Sequence, residues 1–279
     1  MFAKLPAGSA IFAGNRAIGR IELSVAAAAG GRSRRHRLRE EGSLRVRFPN
    51  VVPGGALEAV IVNTAGGMTG GDRFELDVAV GASARLTVST AAAEKIYRSL
   101  GPDTAVNVRL FAGAGAALAW LPQETILFDR TRLRRTVEAD VARNAQFVIA
   151  EMLVFGRSAM GETVASGHLF DRWRIRAGGA LVFAEGLRLD GAIAENLAQR
   201  ATADGGCAIA SALKFPSTEA DIAAVREREH DFAGEVGVSA FNGLALARLV
   251  AADSAALRRD LIGVLTALGI TPLPRLWLN

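Results

Sequence analysis

The stretch Ala59-Val60-Ile61-Val62-Asn63-Thr64-Ala65-Gly66-Gly67-Met68-Thr69-Gly70-Gly71-Asp72-Arg73-Phe74-Glu75-Leu76-Asp77-Val78-Ala79-Val80 sets the reading of the whole chain. An apolar run enters two Gly-Gly pairs, and an apolar–polar alternation leaves them. That pattern predicts strand, turn, strand, with Gly66, Gly67, Gly70 and Gly71 shaping backbone that residues with side chains resist. A phosphate loop is excluded: no Gly-Lys-Ser/Thr follows the glycines, and the next segment has a period of two rather than a helical one.

Upstream, residues 19–25 and 44–48 read as strands, the second stopped by Pro49 and Pro53. Between them residues 30–37 read as a solvated basic loop. Downstream the alternation resumes at Leu86 and Val88, then at 106–110, 117–121, 126–128, 133–141, 147–155, 169–175 and 181–189. Short strands about every ten residues, joined by Gly-containing turns, predict a mainly β architecture. Two helices are expected toward the C-terminus. One covers 219–232; the other covers 255–268, capped by Asp253-Ser254 and ended by Gly269. No Ser- or Pro-rich linker divides the chain, so residues 1–279 read as a single domain with 1–17 loosely ordered.

Half of the 279 residues are apolar, which excludes a disordered chain. No apolar run approaches the roughly 20 residues of a membrane span, and Lys4 beside a short mixed segment makes a poor signal peptide. A lone Cys207 excludes an internal disulfide and points to the cytoplasm. The net charge of +5 comes mostly from Arg, but no aromatic platforms interleave with it, so neither nucleic acid nor membrane is expected as a partner.

His36, His168 and His230 lack the paired spacing of a metal site, and no Gly-x-Ser-x-Gly elbow is present. The carboxylates say more. Asp72 closes the glycine turn, Glu151 interrupts the apolar run 147–155, and Glu185 lies within another strand; Glu94 and Lys95 form a comparable local pair. A carboxylate in a buried strand needs a partner, a proton or water. One reading pairs Glu151 and Glu185 with Arg157 or Arg188. The other makes Asp72, Glu151 and Glu185 the lining of a polar passage for a divalent cation. A carboxylate-dependent hydrolase or lyase on a β-helix is the competing functional class, weakened by the absence of a paired-carboxylate motif.

Four segments, in order, resemble the UreD (UreH) family of urease accessory proteins: residues 63–73, 89–99, 120–128 and 155–162, with 171–175 compatible. The resemblance implies a flattened, β-helix-like assembly with about two helices, and no catalysis. It implies a scaffold that joins UreF and the GTPase UreG on apo-urease, in an assembly with room for two copies, and assists GTP-dependent nickel insertion. No tightly bound cofactor is expected, only nickel in transit. Tyr97, Arg98, Trp120, Gln123 and Glu124 are the expected partner-facing residues. Scattered carboxylates suit passage better than the soft or imidazole ligands that hold nickel firmly.

Overall fold

Inward side chains at every second position require something to bury them, and here successive strands bury one another's. The computed structural model describes residues 15–50, 56–157 and 160–278. Its strands are β1 (Ile18–Ala27), β2 (Ser33–Gly42), β3 (Leu44–Arg47), β4 (Leu57–Asn63), β5 (Arg73–Val80), β6 (Arg85–Thr90), β7 (Glu94–Ile96), β8 (Thr104–Ala112) and β9 (Ala117–Trp120). They continue with β10 (Thr125–Leu127), β11 (Thr131–Val141), β12 (Gln146–Phe155), β13 (Gly167–Ala177), β14 (Ala180–Gly191), β15 (Ala208–Phe215), β16 (Glu235–Phe241) and β17 (Leu244–Ala251). The helices are α1 (Ile193–Ala198), α2 (Glu219–Arg226) and α3 (Ser254–Ala267).

The strands form a two-sheet solenoid. One seven-stranded sheet runs β14-β13-β11-β8-β5-β1-β2; a ten-stranded sheet runs β16-β17-β15-β12-β9-β6-β4-β3, with short β10 paired to β12 and β7 to β10. From β4 to β13 the chain passes back and forth between the sheets, and β5, β6, β8, β9, β11, β12 and β13 each pair in parallel with the strand a coil earlier. At both ends the pairing turns antiparallel: β2 on β1 and β3 on β4 at one, β14 on β13 and β15 on β12 at the other. Parallel stacking aligns like with like, so Ile21, Leu76, Val108, Val137 and Trp173 form one inward ladder. All five are buried.

The two kinds of inter-sheet connection differ. On one side residues 81–84, 113–116 and 142–145 make tight turns of one design. Their amides stack onto the previous coil: Gly81 donates to Val25, Gly113 to Val80 and Ala142 to Ala112, each at 2.8 Å. On the other side the connections, 64–72, 97–103, 128–130 and the one from β12 to β13, differ in length. A second apolar layer lies between the ten-stranded sheet and α3. Leu257, Leu261, Val264 and Leu265 pack onto Ala150, Ala210, Ala212, Ala245 and Ala247, small residues that let the helix approach. Asp253 caps α3 by accepting from the Ala256 amide at 2.8 Å.

Three expectations change. Residues 33–37 are not loop but the first half of β2, an edge strand wet on both faces and therefore without alternation. The helix expected over 219–232 ends at Arg226, and a short 3-10 turn, Glu229–Asp231, takes up the remainder of that span. Of the loosely ordered start expected over 1–17, residues 1–14 lie outside the described residues, while Ala17 is fixed at both backbone groups. Its amide donates to Asp72 and its carbonyl accepts from the Arg73 amide, both at 2.9 Å. No helix among the described residues is long and apolar enough to cross a membrane.

Candidate functional site

One inward ladder breaks the apolar rule. Stacked on Gly19, Phe74 and Val106 come Arg135 of β11 and Asp171 of β13, and Leu187 of β14 closes the row. Glu151 of β12 enters the same interior from the opposite sheet. The Arg135 guanidinium bonds Asp171 with two nitrogens, Nε to Oδ1 at 3.1 Å and Nη2 to Oδ2 at 2.5 Å, and pairs through Nη1 with the Glu151 carboxylate. Trp120 donates Nε1–H to Glu151 Oε1 at 2.9 Å. The three charged side chains are all nearly inaccessible to solvent.

Such a cluster costs desolvation, which the ion pairs must offset. Burial works against the Arg135 charge, but Asp171 and Glu151 outweigh it and hold the guanidinium charged. Burial pushes the Glu151 carboxyl up; Arg135 pulls it back and Asp171 adds to the rise, leaving it above the ordinary range.

The cluster is the wall between two small cavities. One, about 70 Å³, is lined by Glu94, Gln123 and Thr125 together with Arg135 and Glu151. The other, about 40 Å³, is lined by Asp171, Glu185 and Ser211 together with the same Arg135 and Glu151. Glu94 and Glu185 therefore stand at opposite ends of a polar line through the apolar interior. Glu94 Oε1 accepts from Asn63 Nδ2 at 2.9 Å. Burial pushes its carboxyl up to about 7, the Asn63 bond opposes this, and the nearby Asp72 charge adds to it. Glu185 pairs with Arg248 at 2.5 Å on the solvent side.

The partners differ from those expected at sequence level. Glu151 holds Arg135 and Glu185 holds Arg248, while Arg157 pairs with Glu162 and Arg188 with Asp190. Asp72 lines neither cavity. Its two oxygens tie the glycine turn to the residue before β1, Oδ1 accepting from the Ala17 amide at 2.9 Å and Oδ2 from the Thr69 amide at 2.7 Å. Within that turn Gly67 lies at φ +145°, where a Cβ would stand 2.5 Å from the Tyr97 ring. A Cβ at Gly70 would come still closer to the Ser99 hydroxyl. Among the described residues no group of three or more His, Cys, Asp or Glu could hold a metal ion.

The five residues expected to face a partner separate into three places. Tyr97 and Arg98 are at the surface; Trp120 is inside, committed to Glu151. Gln123 and Glu124 grip Arg258 of α3 at 2.6 and 3.1 Å, and Gln123 also donates to the Leu276 carbonyl at 3.0 Å. Arg135 and Asp171 were not anticipated, although the alternation held the signal. Leu133, Arg135, Val137, Ala139 and Val141 share one parity and all are buried, as are Leu169, Asp171, Trp173 and Ile175.

Comparison with known proteins agrees with the segments noted in the sequence. The family model described as "UreD urease accessory protein" matches residues 17–278. A "Urease accessory protein UreD" of Rhodopseudomonas palustris (strain BisA53) is 54% identical over 271 residues, 97% of this chain and 94% of that one. A protein of the same name from Bradyrhizobium diazoefficiens is 51% identical over 279 residues, the full length of both. These relatives are named as accessory proteins and not as enzymes. With the match running through every coil of the solenoid and both of its ends, this chain belongs to the UreD family of urease accessory proteins.

Proposed function

We propose that this chain is a cytoplasmic scaffold for urease maturation that joins UreF and UreG on apo-urease and gives nickel an internal polar route during GTP-dependent insertion. Family membership supports the maturation role, and the free Cys207 thiol is consistent with a reducing compartment. The observation that carries the route is the pair of cavities meeting at Arg135 and Glu151, with Glu94 at one end and Glu185 at the other.

The chemistry of the line suits cargo more than storage. Its donors are carboxylate, hydroxyl and amide oxygens, which exchange a divalent ion faster than thiolate or imidazole. The cavities of about 70 and 40 Å³ are each large enough to hold water. Nickel entering them sheds part of its hydration shell, and the carboxylates replace part of what it loses. The scaffold role needs no such line and stands separately.

The test is urease activation in nickel-supplied cells expressing the urease operon with wild-type, Glu94→Gln or Glu185→Gln chain, with co-purification of UreF and UreG measured alongside. Reduced activation with the complex still recovered is the expected result. Full activation by both variants sinks the route; failure of the wild-type chain to recover either protein sinks the scaffold.

A further inference from the structure

The irregular side of the solenoid carries a surface that the interior chemistry does not use. Three of its four connections, through Tyr97 and Arg98, residues 128–130, and Arg157 and Glu162, meet around an open hollow of about 660 Å³. Two aromatic rings and a guanidinium line it. The Tyr97 and Phe128 rings lie 4.8 Å apart at centroids, tilted 57° to one another, and the Arg157 guanidinium sits 4.5 Å over the Phe128 ring. The Tyr97 ring packs against the glycine turn, since any side chain at Gly67 would occupy its place. Backbone bonds pin the rim: the Ser99 amide donates to the Arg130 carbonyl at 3.0 Å, and the Arg130 amide to Ser166 at 2.8 Å.

Large apolar side chains stand out of this rim into solvent. Leu100 is 89% exposed and Met160, whose amide bonds the Arg157 carbonyl at 2.8 Å, is 73% exposed. Tyr97, which lines the hollow, is over a third exposed. Apolar groups gathered on a surface mark contact sites more often than isolated ones do.

The charges around the hollow are unequal. Glu162 is taken by Arg157 at 2.5 Å, and Asp129 accepts from the Ser166 amide at 3.0 Å. Arg130 has only a loose contact with Asp129, at 3.6 Å. Arg98 has no ion-pair partner among the described residues. Two guanidinium groups thus face outward beside aromatic rings and apolar posts, an arrangement that accepts carboxylates together with an apolar side chain.

We propose that this hollow docks an acidic segment of a protein partner, its carboxylates received by Arg98 and Arg130 and an apolar side chain laid against Tyr97. Only the partner's identity rests on the maturation reading; the surface does not. The tight turns on the opposite side, 81–84, 113–116 and 142–145, carry no large exposed apolar side chain, so the two sides are not equivalent.

The probe is a fluorescein-labelled peptide, acetyl-Leu-Glu-Glu-Leu-Glu-Glu, titrated against the full chain by anisotropy, with a Lys-for-Glu peptide as control. UreF, UreG and apo-urease are tested separately by pull-down. Saturable binding of the acidic peptide alone is expected, weakened by salt and at least about tenfold in Arg98→Glu/Arg130→Glu. The same charge change at Arg34→Glu/Arg35→Glu, on β2, is expected to leave it within twofold. Circular dichroism of each variant establishes folding. Tyr97→Ser, which keeps both cations, separates the apolar contribution.

Peptide binding without recovery of any of the three proteins leaves the docking surface standing and removes the maturation partners. Equal loss in both Arg variants, or displacement by inorganic phosphate at the same concentration as by peptide, overturns the inference. So does an unchanged affinity in Arg98→Glu/Arg130→Glu.

Discussion

The Trp120 indole and the Glu151 carboxylate, 31 residues apart in sequence, meet at 2.9 Å inside the solenoid. Trp120 pairs with Ile149 on the adjacent strand, so the donor reaches the carboxylate two residues further along β12. The bond ties the last residue of β9 to Glu151, an acid that enters the interior from the ten-stranded sheet. Replacing Trp120 by Phe keeps most of the packing and removes the donor. A buried acceptor left unsatisfied costs about 1–3 kcal/mol, to be read as a lower urea midpoint with unchanged slope.

Arg135 answers two buried carboxylates at once. Arg135→Met leaves both without their cation, and the expected loss is about 3–5 kcal/mol. The double variant Arg135→Met/Asp171→Asn restores part of it, because the uncompensated charge is removed with its partner. Urea denaturation of the two singles and the double measures that coupling. Strictly additive losses would show that the two side chains do not act as a pair.

Glu94 gives stability a pH dependence of unusual sign for a carboxylate. Its carboxyl is raised from 4.5 to about 7 in the folded chain, so the folded state holds the proton more tightly. The stabilisation is fully present below pH 4.5 and is lost as pH rises through about 7. A shift of this size corresponds to roughly 3 kcal/mol. Compared with Glu94→Gln, the wild type is therefore expected to lose about that much between pH 5 and pH 8. Denaturation curves of both proteins at unit pH steps check it, and parallel curves would contradict it.

Gly67→Ala tests the packing of Tyr97 against the glycine turn. The new methyl group meets the ring at 2.5 Å from a backbone at φ +145°. Strain of this kind costs of the order of 1–3 kcal/mol. Tyr97 is the chain's single tyrosine, so its displacement is read directly from the near-ultraviolet tyrosine signal. A loss of stability with that signal unchanged would place the strain elsewhere.

Much of the solenoid was written into the alternation. Residues 74–80, 106–110, 133–141 and 169–175 each show one buried parity, and each lies within a parallel strand of the seven-stranded sheet. Two kinds of strand escaped that reading. Edge strand β2 has no buried face to impose a period, so Arg34, Arg35, His36 and Arg37 looked like a loop. Ala208–Phe215 and Leu244–Ala251 are rich in Ala because α3 lies against them, and that small-residue demand hides a strand signal.

The polar line was half legible for a similar reason. Glu151 stands out because its neighbours are apolar on both parities, one side facing α3 and the other the interior. Arg135 and Asp171 sit in strands with many charges on the outward parity, and only counting by twos reveals that they point inward. Their meeting with Glu151 depends on which sheet lies opposite which, a property of three-dimensional stacking rather than of neighbouring residues.

The antiparallel strands at the two ends give the molecule a fixed length. A coil repeat can in principle be extended without limit, each addition lengthening the stack by about 4.8 Å. Here β2 presents its arginines at one edge of the seven-stranded sheet and β14 reverses the chain direction at the other, so neither edge continues the parallel series. Six strand spacings then span roughly 29 Å. The separation of the two ends is therefore set by the number of coils, and one coil more or fewer would move them about 4.8 Å apart or together.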